Sequence, residues 1–134
     1  IKPRLRMLTL YYSAAARNYL VLGTSNKSEI SIGYTTKYGD NAVDLQLLGD
    51  FLKCEIYELA RYLKVPRAII NKAPSGGLWP GQIDEEDMGF SYDQLDKYLD
   101  TKEAEPTVAE SIERMIALGA HKRNTAPIAI VKKY

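Results

Sequence analysis

A single cysteine, Cys54, stands in the chain, so no disulfide can close within it. That scarcity fits a reducing compartment, and the cytoplasm is the expected location. Long hydrophobic runs are missing too: none approaches the roughly 20 residues that a bilayer-spanning helix needs. No secretory signal pattern opens the chain either, so no membrane partner is expected. Net charge is nearly absent, with 18 lysines and arginines against 17 aspartates and glutamates, a balance of +1. Bulk electrostatics therefore leaves no footprint for nucleic acid. Any anion must be held by placed residues. Histidine and tryptophan occur once each, as His121 and Trp79.

What is present is the composition of a globular protein, 46% hydrophobic and 26% charged. Its 134 residues suffice for one domain with a core that needs no cross-links. The opening Ile1-Lys2-Pro3 carries no initiator methionine, and the expectation is a piece of something longer.

Periodicity places the elements. Ile1, Leu5, Leu8, Tyr12 and Ala15 recur every three or four residues, the stripe of an amphipathic helix reaching to about Asn18. Tyr19-Leu20-Val21-Leu22-Gly23 reads as a buried strand closed by glycine. Thr24-Ser25-Asn26 offers caps for a short helix from Asn26 to Tyr34. Lys37 to Gly49, punctuated by Gly39, Asp40 and Asn41, reads as a loop. Leu52, Ile56, Leu59, Ala60 and Leu63 mark a helix from about Asp50 to Lys64, stopped by Pro66. One further turn is expected at Ile69-Ile70. Lys72 to Gly89 has no period and reads as a long binding or lid loop, free to open without its ligand. Ser91 caps a helix carrying Tyr92, Leu95, Tyr98 and Leu99. Thr107 and Glu110 have capping-box spacing before a last helix with Val108, Ile112, Met115 and Ile116 on its inner face. A lone strand cannot satisfy its own backbone, and Ile128–Val131 is the only weak candidate for a partner. The reading is an α/β domain whose other strands lie upstream of Ile1, with a strand-to-helix turn at Gly23-Thr24 where open α/β sheets bind ligands.

Several blocks then fall in one order. Leu22-Gly23-Thr24-Ser25-Asn26-Lys27-Ser28-Glu29 precedes Thr36-Lys37-Tyr38-Gly39-Asp40. Lys72-Ala73-Pro74-Ser75 precedes the acidic run Asp84 to Asp87 and Tyr92-Asp93-Gln94-Leu95-Asp96, and His121-Lys122-Arg123 follows. This order is similar to the signature of NAD synthetases, over nearly the whole chain. The resemblance implies a Rossmann-like adenine-nucleotide-binding fold of the N-type ATP pyrophosphatases, with residues 1–134 as the helix-rich C-terminal part of one synthetase domain. The family's Ser-Gly-Gly-x-Asp-Ser loop for ATP is absent from this stretch. Ser75-Gly76-Gly77 mimics three of its residues, but lacks the Asp and follows no strand. By that resemblance the stretch alone lacks the pyrophosphate cradle and is expected to be inactive.

The activity so implied is amidation of deamido-NAD, with ATP as co-substrate, Mg2+ as cofactor and ammonia as nitrogen donor. A carboxylate is a poor acyl donor until it is adenylated, and that step needs cations on the phosphate oxygens. By the resemblance Glu29 binds magnesium, while Thr24, Lys53 and Ser75 bind ATP. Arg4, Lys37, Asp44, His121 and Lys122 match positions that bind deamido-NAD. Residue chemistry alone leaves plainer readings open. Glu29 is also an acid favoured by a helix N-terminus, and Thr24 is also a cap. Lys53 is also a solvated helix lysine and Ser75 an ordinary loop serine. Arg4, Lys37 and Asp44 are also surface charges, and His121 also ends the last helix. The tyrosines on helical faces are explained by core packing and subunit contact. The resemblance further implies a homodimer with the first helix at the interface, and Tyr38-Gly39-Asp40 resembles the ammonia-dependent branch. Two rivals remain: another adenylating ATP pyrophosphatase, and a non-catalytic dimerisation module that retains the scaffold.

Overall fold

The computed structural model describes residues 1–132. Helix α1 spans Lys2–Ala15 and opens with a proline in its first turn, where a missing N–H costs nothing. Strand β1 is Leu22–Gly23, and α2, Lys27–Ile32, follows after a short turn. Asn26 caps α2 by accepting the Glu29 N–H at 3.0 Å, and the Glu29 carboxylate accepts the Asn26 N–H at 3.2 Å. Strand β2, Leu45–Gln46, lies parallel to β1, with Leu22 opposite Leu45 and Gly23 opposite Gln46. The segment expected to be all loop therefore contains the partner that β1 requires, and the unit is β–α–β. Ile128, Ile130 and Val131 form no strand and are exposed.

Next come α3, Lys53–Tyr62, and the single turn α4, Arg67–Ile70. Residue 52 is a leucine and has no side-chain oxygen to cap α3. The buried Asp96 performs that task from a distance, its Oδ2 accepting the Cys54 N–H at 2.8 Å. The same carboxylate accepts a short hydrogen bond from the Ser28 hydroxyl, whose oxygen accepts the Lys53 N–H at 3.0 Å. Residues Asp84–Met88, expected to be loop, form the short α5. Helix α6, Tyr92–Thr101, has the expected box of Ser91 and Gln94. Helix α7, Pro106–Arg123, begins one residue before the predicted Thr107 cap, because Pro106 already supplies a helical φ at the first position.

The core lies among α2, α5, α6 and α7 and contains Ile32, Met88, Phe90, Tyr92, Leu95, Tyr98 and Ile112. Gly33 and Gly119 let α2 and α7 approach closely: a Cβ on Gly33 would stand 2.7 Å from the Gly119 Cα. Gly33 also ends α2 with a φ of 68°, a left-handed cap that suits glycine.

The first helix behaves otherwise. Its predicted stripe of Ile1, Leu5, Leu8 and Tyr12 is exposed, as are Tyr19, Leu20 and Leu22 beside it. Only Pro3 and Ala14 are buried on α1.

Candidate functional site

The turn after β1 leads from Thr24 straight into α2, so the capping requirement of that helix presents Glu29 within its first turn. Helix α3 begins at Lys53, and its ammonium donates to Glu29 Oε1 at 3.0 Å. Both side chains are largely shielded, 17% and 15% exposed, which limits screening of the pair by solvent. Each charge offsets the desolvation of the other, and removing one would strand its partner. The Lys53 ammonium also lies 4.5 Å from the centroid of the Tyr92 ring, a cation–π distance.

Behind the pair runs a hydrogen-bonded network of tyrosines and acids. The Tyr92 hydroxyl is 3.2 Å from Asp84 Oδ2 and 3.4 Å from Glu29 Oε1. Tyr34 donates from α2's end to Asp87 Oδ2 at 2.8 Å and faces Asp84 Oδ1 at 3.2 Å. Gln82 donates to Asp87 at 2.9 Å and accepts the Leu78 N–H at 2.9 Å. Burial first, and then the neighbouring carboxylates, push both phenols well above their ordinary range. They therefore stay protonated as donors. Burial and then Asp96 likewise push the Cys54 thiol up, which leaves it little thiolate character.

The segment carrying Ser75 and Trp79 is tied to α1. Lys2 donates to the Leu78 carbonyl at 2.5 Å, and Arg6 donates to the Gly76 and Gly77 carbonyls at 3.0 and 3.3 Å. The expectation of a loop with nothing to hold it gives way to a segment anchored by these cations and by the α5 turn. Ser75 accepts the Gly77 N–H at 3.1 Å. A cleft of about 890 Å³ opens between this segment, α1, the β1 end and α7, and is lined among others by Thr24, Trp79, His121 and Lys122.

Of the remaining predicted residues, Lys122 lines that cleft, whereas Arg4, Lys37 and Asp44 are not in its lining. Arg4 donates to the Lys37 carbonyl at 3.2 Å, which brings those two residues together. Asp44 accepts the Val21 N–H at 2.7 Å and the Tyr11 hydroxyl at 3.2 Å, pinning the start of β1 to α1. Lys122 donates to the Gly33 and Thr35 carbonyls at 2.7 and 2.8 Å, complementing the C-terminus of α2. The structure thus joins Glu29 with Lys53 and Arg4 with Lys37, and sets Thr24, His121 and Lys122 on one cleft. Ser75 forms no hydrogen bond with either member of the Glu29–Lys53 pair.

Sequence reasoning assigned no role in the site to Arg6, Tyr34, Gln82, Asp84, Asp87 or Tyr92, although the last three fall in the blocks that carry the resemblance. The acidic run from Asp84 was a visible signal, but Tyr92 on an apolar helical face looks like any core tyrosine. As a magnesium site, the donor set suits a shared metal. Glu29 offers one hard oxygen donor, and magnesium is commonly held by one or two carboxylates together with substrate phosphates and water. Among the described residues no group of three or more histidine, cysteine or acidic side chains forms a closed cage.

The family model described as NAD synthase matches residues 1–126. The NH(3)-dependent NAD(+) synthetase of Syntrophomonas wolfei is 62% identical over 98% of this chain and 53% of its own. Its counterpart in Carboxydothermus hydrogenoformans is 50% identical over 98% of this chain and 54% of its own. A solved NMN synthetase from Francisella tularensis superposes with a TM-score of 0.92 at 42% identity, over 95% of this chain and 53% of that one. The chain therefore spans about half the length of the relatives it matches. Block order, the β–α–β turn at Thr24 and the match along residues 1–126 lead to one assignment: this α/β chain belongs to the NAD synthase family.

Proposed function

We propose that this chain supplies the catalytic-face helices of an ammonia-dependent NAD synthetase. The substrates are ATP, deamido-NAD and ammonia. The substrate carboxylate attacks the α-phosphorus of ATP, the bond to pyrophosphate breaks, and an acyl adenylate forms. Ammonia then attacks the acyl carbon, AMP leaves with the carbon–oxygen electron pair, and the added nitrogen loses a proton to give the amide.

One observation carries the reading: a shielded carboxylate and ammonium, Glu29 and Lys53, stand 3.0 Å apart at the starts of two helices beyond β1. Glu29 would hold magnesium, which when bound neutralises phosphate charge. Lys53, released from Glu29, would bind phosphate oxygens, and Thr24 and Ser75 would contact ATP. Arg4, Lys37, Asp44, His121 and Lys122 would bind deamido-NAD. For Asp44 and Lys122 that task is combined with the structural hydrogen bonds they already make. The exposed face of α1 fits a homodimer contact.

The test is product analysis in the complete protein. NAD, AMP and pyrophosphate should appear in equal amounts from deamido-NAD, ATP and ammonia. Glu29→Gln should lower turnover by about a hundredfold or more, on the scale of losing one placed charge at a transition state, with deamido-NAD affinity nearly kept. An unchanged magnesium dependence in that variant would reduce Glu29 to a helix-start acid. The likeness to an NMN synthetase favours a second substrate, the corresponding mononucleotide acid. Competition between the two acids for one limiting pool of enzyme decides between them.

A further inference from the structure

Tyr92 belongs to the core by burial, at 3% exposed, yet its two functional ends both face the charged pair. Its ring lies beneath the Lys53 ammonium, 4.5 Å from the centroid. Its hydroxyl has one proton and two anionic acceptors, Glu29 at 3.4 Å and the buried Asp84 at 3.2 Å. A residue that only filled space would need neither. When Glu29 turns to a cation and Lys53 to a phosphate, the ion pair opens and each group loses its present partner. The ring gives Lys53 a second attractive surface during that exchange. The Asn26 N–H already holds Glu29 Oε2, and the Tyr92 hydroxyl stands against Oε1, so the carboxylate keeps one orientation and Oε1 is the oxygen that Lys53 vacates for a cation. Asp84 holds the hydroxyl in place, and its own N–H is anchored on the Pro74 carbonyl at 3.0 Å, next to Ser75.

We propose that Tyr92, backed by Asp84, is a positioning residue that poises Glu29 and Lys53 for a magnesium-bound nucleoside triphosphate. The inference rests on the nucleotide site proposed above. It reaches the nucleotide through Lys53 and Glu29, without requiring contact between the phenol and substrate.

The test uses the complete protein and two variants. Tyr92→Phe keeps the ring and the packing but removes the hydroxyl. Asp84→Asn keeps the shape but removes the charge that orients it. ATP binding is measured by calorimetry at several magnesium concentrations, without turnover, and the KM for each substrate is measured separately. Tyr92→Phe should raise the magnesium needed for half-maximal ATP binding about fivefold and the KM for ATP by a similar factor, the scale of one lost ordinary hydrogen bond. The KM for the acid substrate should stay within about twofold, and Asp84→Asn should move the same quantities less. Equal losses for both substrates, or a lowered melting temperature with unchanged magnesium dependence, would make Tyr92 a packing residue and overturn the proposal. Should Tyr92→Phe fail to fold, an Asp84→Asn protein with wild-type magnesium dependence overturns it equally. Absence of ATP binding by the wild type would instead remove the nucleotide site itself, a distinct result.

Discussion

The two sides of this molecule follow opposite rules. Around α2, α6 and α7, apolar residues at helical spacing are buried against one another, with Leu95 and Ile112 wholly enclosed. Along α1 and β1 the same kind of spacing puts Leu5, Leu8 and Tyr12 in solvent, together with Leu20 and Leu22. Periodicity thus reports that a face is apolar but not what covers it. The first side completes itself with residues of this chain. The second presents an apolar surface next to the cleft and has the character of an interaction face.

The largest expected contrast comes from truncating one leucine on each side. Leu95→Ala should destabilise the complete protein by about 2–5 kcal/mol, from lost transfer energy and the cavity left behind. Leu8→Ala should change chemical denaturation by less than about 0.5 kcal/mol if its surface is free. A loss at Leu8 that grows with protein concentration would show instead that this face is buried in an assembly, and sedimentation of Leu8→Glu would then show dissociation.

A smaller effect on the enclosed side is read by pH. The Tyr34 and Tyr92 phenols have folded values above their ordinary 10.0. Their contribution is complete below that value and is lost as pH rises above it, because the unfolded chain ionises first. Each should cost about 1.4 kcal/mol per pH unit above the unfolded value. Denaturation midpoints measured between roughly pH 9.5 and 11 should fall, and Tyr34→Phe should flatten the slope. An unaltered slope would mean that Tyr34 is solvated in the native state.

The smallest expected change tests where the sides are joined. Arg6 on α1 holds the Gly76 and Gly77 carbonyls. Arg6→Ala should cost about 1 kcal/mol or less and shift Trp79 emission towards that of an exposed indole. ATP with magnesium should shift the same emission in the wild type, and Ser75→Ala should weaken that response. Emission indifferent to all three changes would make the segment a static surface loop.

Much of this arrangement was legible in the residues, and the failures have physical causes. Asn26 with Glu29 and Ser91 with Gln94 announced two helix starts because capping chemistry is local. The same chemistry misplaced α7, where Pro106 took precedence over Thr107. Strand β2 was hidden because two residues are too few to show alternation, and α5 because its acidic turn has no apolar period. Glu29 and Lys53 were named through family resemblance. Their pairing spans 24 residues of chain, and Asp96 links the two helices that carry them, a contact that no local pattern encodes.

That aspartate has a consequence for how the chain can vary. Asp96 holds the Ser28 hydroxyl at one helix and the Cys54 N–H at another, so α6 indexes both helices from behind. The separation of the two charged groups is consequently braced from α6 as well as through the chain that runs from Gly33 to Leu52. Within that excursion β2, Asp44 and Phe51 are tied to β1 and α2, so variation in length is left to the stretches between those ties. The groups that would meet the phosphates keep their spacing throughout.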